Sequence, residues 1–141
     1  MTISDAKITS HMEKAEVALR EARALYDLGY NDGARSRATV SSIQAFTAIS
    51  IADRRPNDPQ DIIERVKVFV ASNRLPEGSD IYFTAAMFAR IDADESDTKT
   101  PQSGAAKGIS TAYAFFQAVQ GQLLALRTEA DNESEMPAPG R

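Results

Sequence analysis

The chain has 141 residues and no cysteine. That excludes disulfide frameworks, thiolate zinc sites and cysteine nucleophiles together, and it fits a reducing compartment. Histidine occurs once, at His11, so a zinc site would need an unusual ligand set; His11 reads as a surface or core-edge residue of the first helix. There is no basic excess. Sixteen lysines and arginines face twenty acidic residues, a formal charge of −4. A protein that grips nucleic acid through phosphates usually carries the opposite sign, so RNA contact would need a local basic patch and is only a weak expectation. No run approaches the ~20 apolar residues of a membrane span, and Met1–Ser10 lacks the apolar core of a signal peptide. The expected setting is cytoplasmic, away from membranes, with no cofactor and no metal. The run Asp92-Ala93-Asp94-Glu95-Ser96-Asp97 lacks the glycine and glutamate that a calcium-binding EF-hand loop requires at its sixth and twelfth positions. It reads as a solvated charge run.

Strand patterning is missing as well. Apolar residues return at steps of three and four, which is helical spacing. With 43% apolar and 26% charged residues, the composition is that of an ordinary globular domain. The expected architecture is all-α: an antiparallel four- to five-helix bundle with up-and-down topology. One domain should cover residues 1–129, followed by a disordered acidic and proline-rich tail over 130–141. Without strands there is no place for a Gly-x-Ser-x-Gly elbow, and Gly104-Ala105-Ala106-Lys107-Gly108 lacks both the spacing and the context of a phosphate loop.

The first helix should start at a Ser4 or Asp5 cap and run to about Leu28. Ile8, Met12, Ala15, Leu19, Ala22 and Tyr26 form its apolar stripe, with Lys14, Arg20, Glu21 and Asp27 in water. Gly29 stops it. The second helix, capped by Asn31 or Asp32, should reach about Asp53 and fold back on the first. Its stripe is lean (Ala34, Ala38, Ser41, Ala45, Ala48) and is widened by Ile43, Phe46, Ile49 and Ile51. Such breadth marks either the centre of a bundle or an interface, and on the second option it predicts a homodimer. Arg54 to Pro59 is a loop. The third helix is expected from about Pro59 to Asn73, with Ile62, Val66, Phe69 and Val70 inward. The fourth should run from Ser79 or Asp80 to about Ile91, packing Ile81, Tyr82, Ala85, Phe88 and Ile91. A polar loop from Asp92 to Ser103 precedes a fifth helix, about Ser103 to Glu129, that buries Ile109, Ala112, Phe116, Val119, Leu123 and Leu126 with Tyr113 alongside.

Arginines cluster at both ends of the second helix (Arg35, Arg37, Arg54, Arg55) and on the first (Arg20, Arg23). Three readings apply: solvated side chains, interface ion pairs, or a small anion- or RNA-facing patch. Arg37 and Gln44 stand seven residues apart and so share one helical face.

The segment from Gly29 to Phe46 resembles the start of a HEPN domain, a small helical bundle. Gly29, Asp32, Ala34, Ser36, Arg37 and Ala38 match the family's Gly-x-Tyr-Asp-x-Ala turn and the Ser-Arg pair after it, whereas Thr39-Val40 replaces the family's aromatic pair. A looser similarity extends from Ala6 to Leu126. The resemblance implies a binding set of Asp32, Arg35, Arg37 and Gln44. Ribonuclease members of the family pair two protomers so that an arginine and a following histidine line a shared cleft. Here Gln44 stands where that histidine would be. Glutamine matches histidine's reach but holds no proton near pH 7, and general acid–base help is worth ~10²–10⁴-fold. Arg37 and Gln44 are therefore vestigial as catalytic candidates. The resemblance implies a non-catalytic, dimerising binding or regulatory module, with a protein partner such as a nucleotidyltransferase. The alternatives are an RNA-cleaving toxin of the same family and an unrelated structural or assembly bundle.

Overall fold

The computed structural model describes residues 3–95 and 100–135, which form five α-helices and no strand. They are α1 (Ile3–Asp27), α2 (Asn31–Ala52), α3 (Ile62–Ala71), α4 (Ser79–Glu95) and α5 (Gln102–Glu135). No described helix is long and apolar enough to cross a membrane.

α1 ends in a Schellman turn. Gly29 takes φ +84°, the Tyr30 N–H donates to the Leu25 carbonyl at 2.9 Å, and the Gly29 N–H donates to that of Tyr26 at 3.0 Å. Only glycine enters this conformation cheaply, so the chain reverses here and α2 runs antiparallel along α1. Asn31 and Asp32, expected as caps from their residue types, lie inside α2 and do not cap it. The N-cap is Tyr30, which makes no side-chain cap bond.

α2 is the centre of the bundle. It packs along α1, against α5, and onto α4. Its lean stripe Ala34, Ala38, Ser41, Ala45 and Ala48 is buried, as are Phe46 and Ile49. The breadth that suggested an interface on α2 is therefore covered within one protomer. Phe46 sits at the middle, its ring 5.2 Å from Phe69 of α3 and 5.6 Å from Phe83 of α4. Ala112, Phe115, Phe116 and Val119 of α5 close the core.

Helix boundaries shift where sequence chemistry overrides the apolar pattern. α3 starts at Ile62 rather than near Pro59, because the Asp61 carboxylate accepts from the Glu64 N–H at 3.0 Å and caps it. It ends two residues before Asn73, which takes φ +60°. α4 continues past Ile91 to Glu95, since nothing between them breaks a helix, so much of the acidic run lies on α4 and not in a loop. Asp97 and the side chain of Ile91 lie outside the described residues. α5 likewise passes Glu129 and reaches Glu135, because neither glycine nor proline intervenes. The first six residues assigned to a disordered tail are thus helical, and residues 136–141 lie outside the described ones.

α4 corrects the expected packing most. Phe83 is 1% exposed, whereas Ile81 is 73% and Phe88 58% exposed. The helix turns Phe83, Met87 and Tyr82 inward and leaves Ile81, Ala85 and Phe88 on the outer face.

Candidate functional site

All four residues of the expected binding set lie on α2, and the structure divides them. Asp32, in the first turn, accepts a hydrogen bond from the Thr100 N–H at 2.7 Å. Asp32 therefore ties the start of α5 to the start of α2. Arg35 points elsewhere: its Cγ lies where a Cβ on Gly108 of α5 would meet it at 3.6 Å. Arg35, Lys107, Thr39, Thr111 and Tyr82 line a small cavity of about 220 Å³. Burial pushes the Tyr82 phenol above its ordinary value, opposed by its hydrogen bond to Ser42.

Arg37 and Gln44 share a face, as their spacing requires, and that face meets α1. The Arg37 Nη2 donates to Glu21 Oε1 at 3.1 Å, while its Nε–H is shielded from solvent and has no acceptor among the described residues. The Gln44 Oε1 lies 2.7 Å from His11 Nδ1. An amide oxygen only accepts, so in this contact the His11 Nδ1–H is the donor. Between these two pairs, Ser41 Oγ donates to the Ala15 carbonyl at 2.8 Å. The three contacts run antiparallel along one seam and record the register of the α1–α2 hairpin.

The lone histidine is therefore the hydrogen-bond partner of Gln44. Reading α2 by itself did not find this pairing, because the contact crosses between helices. The hairpin offered a signal: His11 and Gln44 lie at similar distances on either side of Gly29.

No protein-family model matches the chain, and no curated protein matches it. The HEPN resemblance therefore rests on the residues Gly29 to Phe46 of the sequence alone.

Two other features contain chemistry. Arg20, Arg23, Tyr26, Tyr113 and Phe116 line a groove of about 910 Å³ between α1 and α5. Arg23 pairs with Asp27 at 3.4 Å across one turn, with both side chains mostly exposed. Such a pair is worth a few tenths of a kcal/mol. Among the described residues, no three His, Cys, Asp or Glu side chains come together as a metal site.

Proposed function

We propose that the chain is a non-catalytic, HEPN-like helical bundle that acts as a dimerising binding module. The observation that supports the non-catalytic part of this reading is the engagement of Arg37 and Gln44 by Glu21 and His11 of their own protomer, which leaves neither facing a cleft shared with a second copy; the HEPN-like part rests on the sequence resemblance alone. An arginine held by a carboxylate is a poor phosphate clamp, since the ligand must displace that carboxylate. A glutamine at the proton-transfer position supplies no general base.

The RNA-cleaving alternative has one specific observation in its favour. His11 places an imidazole on the same seam as Arg37, from α1 instead of α2. One assay separates the two readings. Purified protein incubated with structured and unstructured RNA should give no cleavage above a blank, with no change in Arg37→Ala or His11→Ala. Cleavage by the parent protein that is lost in both variants would establish catalysis and sink the module reading.

Self-association belongs to the same proposal, on a surface other than α2. Ile81, Ala85 and Phe88 follow steps of four and three along one exposed face of α4. In an antiparallel pair of α4 helices centred near Ala85, each Phe88 would meet the partner's Ile81, with the small alanines at the crossing. This large-small-large pattern is self-complementary, as a two-fold interface requires. The expected result is a dimer by light scattering at tens of micromolar, and a monomer for Phe88→Glu. A monomeric parent protein at that concentration would remove the dimer from the proposal.

A further inference from the structure

At the end of α2 away from Arg35 and Arg37, the start of α1, the end of α2 and the α2–α3 connection enclose a polar depression of about 460 Å³. Lys7, Thr47, Ser50, Arg54, Gln60 and Arg65 are on its wall. Arg65 is half-buried and fixed by neutral oxygens only. Its Nε donates to the Pro59 carbonyl at 2.7 Å, Nη2 to the Gln60 carbonyl at 2.7 Å, and Nη1 to Ser50 Oγ at 3.1 Å. A guanidinium has five N–H donors, so two remain for a ligand. Lys7 and Arg54 reach the same depression from its rim and make no side-chain hydrogen bond or ion pair among the described residues. The one carboxylate on the wall, Asp58, is already taken. Both its oxygens accept from Arg74, at 2.8 and 3.0 Å.

Three cations thus converge, and the one anion on the wall is already paired with Arg74. Arg65 is the informative member, because a half-buried charge is normally balanced by a paired one. Its head is held in place before any ligand arrives, which lowers the ordering cost of binding. We propose that this depression is a binding site for a phosphate dianion, free or carried on a small polar molecule. Three cations and the Ser50 hydroxyl, which accepts from Arg65 and keeps its own O–H to donate, match a group with several acceptor oxygens; the Thr47 hydroxyl is already spent on the Ile43 carbonyl. No aromatic side chain lines the wall, so there is no platform on which a base could stack. The chain's net charge of −4 also disfavours a long polyanion. The ligand is therefore small.

The test is an NMR titration of the full chain with inorganic phosphate at constant ionic strength, following the amides of Ser50, Arg54 and Gln60. The expected result is saturable binding, with the dissociation constant raised about three- to tenfold by Lys7→Ala or Arg54→Ala, the loss of one charge-assisted contact each. Both side chains are exposed, so these variants keep the fold. Arg65→Lys retains the charge but loses the fork, and should weaken binding at least as much. Glycerol phosphate, run alongside, distinguishes the sources. Tighter binding than inorganic phosphate assigns the site to a phosphorylated small molecule, and equal or weaker binding assigns it to free phosphate. Shifts that grow linearly without saturation, or a dissociation constant unchanged in the Lys7→Ala/Arg54→Ala double variant, would overturn the proposal.

Discussion

Replacing Arg74 with leucine should destabilise the protein by about 3–5 kcal/mol, as expected when one partner of a buried ion pair is removed and the other is left uncompensated. Arg74 is only 3% exposed. Its guanidinium forks onto the Asp58 carboxylate, and it also donates to the Asp53 carbonyl at 3.0 Å and to Ser72 Oγ at 2.7 Å. It also lies 3.9 Å from the centre of the Phe69 ring. One side chain thus joins the end of α2, the α2–α3 connection and the end of α3. Urea denaturation would measure the loss. Replacing Asp58 and Arg74 together by apolar residues should recover much of it, because an apolar pair leaves no charge stranded.

The same pair sets an acid dependence. The hydrogen bond from Arg74 is the main influence holding the Asp58 carboxyl below its ordinary value, and burial opposes it. A carboxylate with a depressed pKa stabilises the fold at pH values above its unfolded pKa, about 3.9. That contribution is lost as pH falls through the lower folded value. The gap between the parent protein and Arg74→Leu should therefore narrow below about pH 4. A gap independent of pH would show that Asp58 is not the group left stranded.

The second large effect is expected at Phe46. It is fully buried and stands edge-on to Phe69, with interplanar angle 71°, and tilted against Phe83 at 59°. Phe46→Ala should cost about 3–5 kcal/mol, the usual range for emptying a buried aromatic site. The neighbours cannot close the gap easily, because the ring bridges three helices. Phe46→Leu keeps more of the volume and should cost clearly less. Thermal melts of the two variants would test this, and equal melting temperatures would contradict the central role of the ring.

The stripes of α1 and α3 were legible because each helix has a single apolar face and a wet opposite one; on α5 the expected stripe turns inward too, but Phe115 is buried beside it, while Tyr113, expected alongside the stripe, is 53% exposed. The breadth of α2 was legible too, but not its meaning. Periodicity cannot say whether a second apolar face meets another helix of the same chain or another copy. α4 shows the same limit in reverse. Its residues offer two apolar faces, one through Ile81, Ala85 and Phe88 and one through Phe83 and Met87. The choice between them is made by Phe46 and Phe115, which are distant in sequence.

Arg74 was invisible for a different reason. An arginine beside a turn reads as solvated, and its burial follows from backbone geometry. Asn73 in the left-handed region lets the Arg74 N–H return to the Phe69 carbonyl at 2.8 Å. That reversal carries the side chain back under the bundle. At the candidate site, spacing correctly put Arg37 and Gln44 on one face. Their partners Glu21 and His11 come from the neighbouring helix, where no helical-wheel argument reaches.

The length of α5 divides that helix into two thermodynamic regimes. At 1.5 Å per residue its 34 residues extend about 51 Å, against about 37 Å for the 25 residues of α1. Its middle is locked by Ala112, Phe116 and Val119, whose amides can exchange with solvent only when the whole bundle opens. Beyond Leu126 the described side chains are exposed, with Arg127, Ala130 and Asp131 bordering only a shallow depression shared with the start of α1. Those last turns can fray and re-form without any change in the core. One uninterrupted helix is in this sense both a structural beam and a loosely tethered extension, and deuterium uptake along it would fall into two separate time scales.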